Sequence, residues 1–84
     1  MQTTILLIED ERFQASYLSK FLKNKLSFET LVATNARESL TILKEQNNII
    51  NLVILDLGLP DMHGMELLDI IKQRYPEVDV KQFL

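Results

Sequence analysis

Three acidic side chains stand directly after short apolar runs. Glu9 and Asp10 follow the run at residues 3–8, and Asp56 follows the most apolar run of the chain, at residues 49–55. Apolar runs of this length, bounded by polar or turn residues, are typical of strands buried on both faces. The sequence therefore predicts carboxylates at the ends of two buried strands, where sheet packing holds their backbone in place.

These carboxylates suggest metal and phosphoryl chemistry. If the first and third strands are neighbours, Glu9, Asp10 and Asp56 meet at one edge, and their repulsion raises at least one pKa unless a cation binds. Oxygen ligands favour a hard divalent ion, above all Mg²⁺. Beside such an ion Asp56 is a candidate nucleophile that attacks phosphorus to form an aspartyl phosphate. Gly58 is positioned to bring a backbone carbonyl close to the ion.

Helical patterns alternate with the apolar runs. The first helix covers residues 12–26, with its apolar face formed by Phe13, Tyr17, Leu18, Phe21 and Leu22. The second ends at residue 46 and is capped by Asn35 with Glu38 three residues on, with inward positions Ala36, Leu40 and Leu43. The third begins at Gly64 and ends near Tyr75, because Pro76 disfavours helix at the preceding residue; its inward positions are Leu67, Leu68 and Ile71.

Two further strands complete the pattern. Residues 28–33 form the second strand, with Leu31 and Val32 as its core positions, and residues 78–84 form the fourth. Strands that alternate with helices imply parallel strands joined by right-handed crossovers, hence an open α/β sheet. In such sheets ligands bind outside the carboxyl ends of the strands. Glu9, Asp10 and Asp56 lie at such ends.

Composition limits the other possibilities. The 84 residues, 46% hydrophobic and 25% charged, predict one globular domain over residues 1–84. The net charge of −3, without a long basic cluster, gives no reason to expect binding to nucleic acid or to an anionic membrane. The chain has no cysteine, no signal-peptide pattern at its start and no apolar run of membrane-spanning length. We therefore expect a cytoplasmic protein.

Together these residues resemble a known family. Glu9-Asp10 after the first strand, Asp56 after the third, and the run DLGLPDMHGME at residues 56–66 resemble the receiver domain of two-component response regulators. The resemblance implies a flavodoxin-like, doubly wound parallel sheet with strand order 2-1-3-4. It implies that Asp56 accepts a phosphoryl group from a histidine kinase or phosphotransfer protein. Asp10, Asp56 and the Gly58 carbonyl would bind Mg²⁺, with Glu9 assisting through water.

The resemblance also implies what surrounds this site. Such a module is not an enzyme in the usual sense, because it catalyses only its own phosphorylation from a donor. Pro60 and Gly64 match the family's loop into the third helix, where fixed and permissive dihedrals suit a sharp turn. His63 stands where an aspartate is common in the family. A lone loop histidine is most simply a solvent-facing residue.

The sequence departs from the family after the third helix. The family uses a hydroxyl residue after the fourth strand and a lysine after a fifth, and neither can be placed here; Lys81 lies inside the predicted fourth strand. We therefore expect an incomplete βαβαβαβ fold that lacks the last strand and its flanking helices, the N-terminal portion of a receiver. The first helix would then leave an apolar patch and the fourth strand an open edge, which predicts self-association or strand exchange.

Other interpretations remain open. One is a phosphorylation-incompetent interaction or dimerisation fragment of a receiver domain. Another is a phosphatase of the haloacid dehalogenase type, but Gly58 stands where those enzymes usually carry a second aspartate. Taken alone, the Glu9-Asp10-Glu11 triplet fits a helix start equally well, and an isolated Asp56 fits a turn. The combination with the loop after Asp56 favours the phosphoacceptor interpretation.

Overall fold

Four strands and three helices alternate along the chain. The computed structural model describes residues 2–56 and 58–83; Leu84, the predicted end of the fourth strand, lies outside the described residues. The elements are β1 (Thr4–Ile8), α1 (Arg12–Leu26), β2 (Glu29–Ala33), α2 (Ala36–Gln46), β3 (Leu52–Asp56), α3 (Gly64–Arg74) and β4 (Asp79–Phe83). No described helix is both long enough and apolar enough to cross a membrane.

The strands form one parallel sheet in the order β2-β1-β3-β4. This order confirms the prediction, and it makes β1 and β3 neighbours, with Ile8 opposite Leu55. The predicted start of β3 was wrong by three residues, because residues 47–49 form a turn at the end of α2 in which the Ile49 N–H bonds to the Gln46 carbonyl at 3.0 Å. At its other end β3 includes Asp56, which sequence analysis had placed just beyond the strand.

The main core lies between the sheet and the pair α2 and α3. Its fully buried members are Leu6, Ile8, Ala33, Ala36, Leu43, Val53, Leu55, Leu67 and Ile71. Burying one such leucine or isoleucine contributes about 1.5–3 kcal/mol, so this layer carries most of the apolar stabilisation. The predicted inward positions of α3 are confirmed, as are Ala36 and Leu43 of α2, while Leu40 is partly buried.

The opposite face of the sheet is covered only in part. Among the described elements, α1 contacts β1 and β2 alone, and it buries Ala15 and Leu22. The apolar face predicted for α1 is only partly covered: Leu22 is buried and Leu18 is partly buried, while Phe13, Tyr17 and Phe21 are 86%, 70% and 46% exposed. Val32, predicted as core, is also exposed, because β2 is an edge strand of the sheet.

Local hydrogen bonds fix the helix ends. Glu11 caps α1 by accepting from the Phe13 and Gln14 N–H groups. Asn35 caps α2 as predicted, at 2.7 Å from the Glu38 N–H. The Glu38 carboxylate returns to the Thr34 N–H at 2.7 Å, one residue earlier than in a standard capping box. These caps determine where both helices leave the carboxyl edge of the sheet.

Candidate functional site

A cluster of three carboxylates lies at the carboxyl edge of the sheet. Because β1 and β3 are adjacent and parallel, the residues that follow Ile8 and the last residue of β3 come side by side. One carboxylate oxygen from each of Glu9, Asp10 and Asp56 lies within 4.8 Å of the other two. Glu9 is buried, Asp56 is half-buried and Asp10 is exposed, so the cluster is open to solvent on one side.

Glu9 is the buried member of the cluster. Its backbone N–H bonds to the Ala33 carbonyl at 3.0 Å, and its Oε1 accepts from the Glu11 N–H at 3.0 Å. Its other oxygen, Oε2, is buried and has no hydrogen-bond partner among the described residues. Burial raises the pKa of this carboxyl, the Glu11 N–H opposes that shift, and the neighbouring carboxylates of Asp56 and Asp10 add to it. A cation bound at the cluster would offset the negative charge of these carboxylates.

Asp56 is held in place by the strand before it and the loop after it. The Gly58 N–H donates to Asp56 Oδ1 at 3.1 Å. A Cβ at position 58 would lie 3.8 Å from the same oxygen, an ordinary contact distance. The donated hydrogen bond orients one oxygen of the carboxylate.

The two glycines near the site do not use their special backbone freedom. Neither glycine has a positive φ, so the predicted role of permissive dihedrals at Gly64 was wrong. Gly64 is instead the buried first residue of α3, with ordinary helical geometry. The role of the Gly58 carbonyl as a metal ligand stays a prediction.

Asp61 joins the loop after Asp56 to a second helix, a role that sequence analysis missed. Its two carboxylate oxygens accept from the Ala36 and Arg37 N–H groups at 2.8 and 3.0 Å, at the start of α2. These two donors lower the pKa of Asp61, and the charge of Arg37 adds to the effect. The sequence did offer one signal for this role: Asp61 is an acidic residue in a loop at the same edge of the sheet at which α2 begins.

His63 has a structural role beyond solvent exposure. It is exposed, as predicted, but it is also the cap of α3, because its Nδ1 accepts from the Met65 N–H at 3.2 Å. The signal that sequence analysis overlooked was the position directly before the helix start at Gly64.

Comparison with known proteins agrees with this fold. The family model described as "Response regulator receiver domain" matches residues 5–82. The two-component response regulator ARR11 of Arabidopsis thaliana is 37% identical over 65 residues, which cover 77% of this chain and 12% of that protein. The chain therefore spans a small part of this curated relative.

Solved structures match over most of the chain. A response regulator receiver domain protein from Clostridium thermocellum is 35% identical with a TM-score of 0.86, over 95% of this chain and 63% of that one. The MaeR response regulator bound to beryllium trifluoride is 25% identical with a TM-score of 0.87, over 98% of this chain and 66% of that one. With the family model matching nearly its whole length, the chain belongs to the response regulator receiver domain family.

Proposed function

We propose that Asp56 is the phosphoacceptor of a two-component phosphorelay and that it works with a bound Mg²⁺. The observation that carries the proposal is the cluster itself, in which three carboxylate oxygens lie within 4.8 Å of one another. Glu9 Oε2, in this cluster, is buried and has no hydrogen-bond partner in the described part of the chain. Asp10 and Asp56 would bind the ion directly, the Gly58 carbonyl would add a ligand, and Glu9 would act through water. An all-oxygen donor set with several negative charges suits Mg²⁺.

The chemistry assigned to the chain is a single displacement. A carboxylate oxygen of Asp56 attacks phosphorus; an O–P bond forms while the donor's P–N or P–O bond breaks, and the leaving group keeps the electron pair. The Gly58 N–H holds Oδ1 and so restricts the rotation of the nucleophile. When bound, Mg²⁺ neutralises charge on the transferred oxygens.

A structural relative supports this assignment. The MaeR response regulator, which shares the fold, is bound to beryllium trifluoride. Beryllium trifluoride is a tetrahedral mimic of a phosphoryl group when a carboxylate oxygen completes its coordination. The same chemistry at Asp56 would place the phosphoryl group on the open side of the carboxylate cluster.

The test is labelling by a small phosphodonor. We expect acetyl phosphate with Mg²⁺ to add one phosphoryl group, measured by intact-protein mass spectrometry, and hydroxylamine to remove it, because hydroxylamine cleaves an acyl phosphate. Asp56→Ala removes the label. Asp69→Ala, which removes an exposed carboxylate on α3, keeps it. No mass gain, or an equal gain in Asp56→Ala, would refute the phosphoacceptor role of this chain.

The partner would be a histidine kinase or phosphotransfer protein that docks beside Asp56. Phe13, Tyr17 and Phe21 are spaced by four residues and form an exposed stripe along α1. The stripe begins three residues after Asp10, so a protein that reaches the cluster can also cover it. We expect Phe13→Ala/Tyr17→Ala to reduce labelling by a phosphorylated histidine phosphotransfer protein and to leave acetyl phosphate labelling unchanged. Equal loss with both donors would exclude a docking role.

A second candidate function is self-association through β4. Among the described residues the only strand paired with β4 is β3, so its outer edge is open. Two copies can pair antiparallel about Val80, which sets Asp79 of each copy opposite Lys81 of the other. Asp79 and Lys81 are exposed and, as alternate strand residues, lie on one face of the sheet. Opposite charges directly across two strands stabilise the pairing.

Charge exchange tests this pairing directly. Analytical ultracentrifugation should show a concentration-dependent dimer of the wild-type chain. Lys81→Asp should shift it toward monomer, and adding Asp79→Lys in the same chain should restore the dimer. Lys72→Asp, a reversal on α3, should leave the equilibrium unchanged. A monomer at all concentrations, or a double variant that stays monomeric, would contradict the pairing.

A further inference from the structure

A cavity of about 360 Å³ lies between α2 and α3. No member of the carboxylate cluster lines it. Its walls come from one side of α2, from the loop after β3 and from the end of α3. The volume falls within the range of small-molecule sites, which is roughly 300–1,000 Å³. The lining residues therefore decide which ligand class it suits.

Three cations line this cavity, and two of them share one end of it. Arg37 and Lys44 are seven residues apart on α2, so they lie on one face and about 10 Å apart along the axis. Both helices follow strands of a parallel sheet and therefore start at the same edge. Lys44 and Arg74, near the ends of their helices, consequently share the far end of the cavity.

The single lining carboxylate is at the opposite end. Asp61 accepts from the Ala36 and Arg37 N–H groups where α2 begins, and it faces the charge of Arg37. Among the residues that line the cavity, Lys44 and Arg74 therefore have no carboxylate beside them. Two cations at the same end of the cavity suit a doubly charged anion.

The floor of the cavity is apolar. Leu40, Met62 and Tyr75 line it, are partly buried and pack against the main core, which holds their side chains in place. An aromatic ring held in this way offers a face on which a flat ligand can stack. Positive charge at one end and an apolar floor next to it favour a ligand that has an anionic group joined to an apolar body.

We infer that this cavity binds an organic phosphate monoester: its phosphate group contacts Lys44 and Arg74, and its flat apolar body lies over Tyr75 and Leu40. Arg74 can hold two phosphate oxygens at once through its planar guanidinium, and Lys44 adds a point charge. The site is separate from Asp56 and does not depend on phosphorylation.

The test uses adenosine 5′-monophosphate as the probe, with EDTA present so that no divalent ion bridges it to the carboxylate cluster. Amide NMR titration of the whole chain should give saturable shifts at Leu40 and Tyr75. Adenosine and inorganic phosphate, the two halves of the probe, should each bind more weakly. Lys44→Gln and Arg74→Gln should each weaken binding about tenfold, the effect of losing one charge-assisted contact.

Lys72→Gln is the matched control, because Lys72 is also a cation in the last turn of α3 but does not line the cavity. It should bind the probe as the wild type does, and so should Asp56→Ala. The inference is overturned if no saturable shifts appear, if Lys72→Gln weakens binding as much as Arg74→Gln, or if inorganic phosphate alone binds as tightly as the whole probe. Thermal unfolding confirms that each variant is folded.

Discussion

The carboxyl group of Glu9 is buried beside two other acidic side chains, and this arrangement opposes its ionisation. Its pKa is raised, so the folded protein binds the Glu9 proton more readily than the unfolded chain does. The stability that the protonated group contributes is complete below the pKa of a free glutamate and is lost as the pH rises through the raised value. At neutral pH, without a cation, Glu9 therefore costs folding free energy.

We expect Glu9→Gln to raise the unfolding free energy of the metal-free protein at neutral pH by about 1 kcal/mol or more, because it removes a buried negative charge that lies beside the carboxylates of Asp10 and Asp56. Glutamine removes the charge and still accepts from the Glu11 N–H. The gain should shrink below the pKa of a free glutamate. Urea unfolding in EDTA at the two pH values measures it, with exposed Glu66→Gln as control. Equal stability at neutral pH would contradict the electrostatic argument.

The contribution of Asp61 to stability depends on pH in the opposite direction. Its folded-state pKa is lowered by the Ala36 and Arg37 N–H groups, so the charged form stabilises the folded protein above the pKa of a free aspartate. This contribution is lost as the pH falls through the lowered value. We expect Asp61→Asn to lower the urea midpoint at neutral pH and to differ less from wild type in acid. A pH-independent difference, or the same loss in Asp69→Asn, would exclude capping by the charge.

At this scale the sequence allowed the cluster to be predicted but not its supporting contacts. The meeting of Glu9, Asp10 and Asp56 was foreseeable because each lies at or just after the end of a buried strand, and adjacent parallel strands bring such residues together. The bond from Asp61 to α2 joins residues about 25 positions apart through loop geometry, which periodicity does not encode. The capping by His63 was missed because histidine is not among the usual capping residues.

Among the elements, those with strong local signals were predicted most closely. The bounds of α1 matched, because a capping glutamate and an unbroken helical pattern define it. The start of β3 was missed because apolar character continues back through Ile49, while hydrogen bonds assign that residue to a turn. The apolar face of α1 was located from its spacing, but which of its residues are exposed was not, because helical periodicity shows which residues share a face and not what covers it.

The end of α1 offers a test of local backbone strain. Ser27 has a φ of 58° and ends the helix in a left-handed cap, in which its N–H bonds to the Lys23 carbonyl and the Phe28 N–H bonds to the Leu22 carbonyl. Glycine adopts this conformation without the cost of about 1 kcal/mol that a side chain pays. We expect Ser27→Gly to raise the unfolding free energy by about that amount and Ser27→Val to lower it. A destabilising glycine would show that the Ser27 side chain contributes more than strain costs.

Across the whole molecule, stability is divided unequally between the two faces of the sheet. The face under α2 and α3 holds the main core, while the face under α1 buries mainly Ile5, Leu7, Ala15 and Leu22. A chain of 84 residues buries a smaller share of its surface than a larger domain, so its total stability is expected to be small. Any ligand that binds only the folded state should therefore have a large effect on unfolding.

Mg²⁺ is the ion that we propose for the carboxylate cluster. Because the three carboxylates come together only in the folded state, we expect Mg²⁺ to stabilise it by about 2.7 kcal/mol at a hundredfold excess over its Kd. For a domain of this size that corresponds to a rise in Tm on the order of 10–20 °C. Differential scanning calorimetry measures the shift against Na⁺ at matched ionic strength. Asp10→Asn should abolish most of it and Asp69→Asn should keep it; an unchanged Tm, or an equal rise in Asp10→Asn, would show that the cluster does not bind the ion.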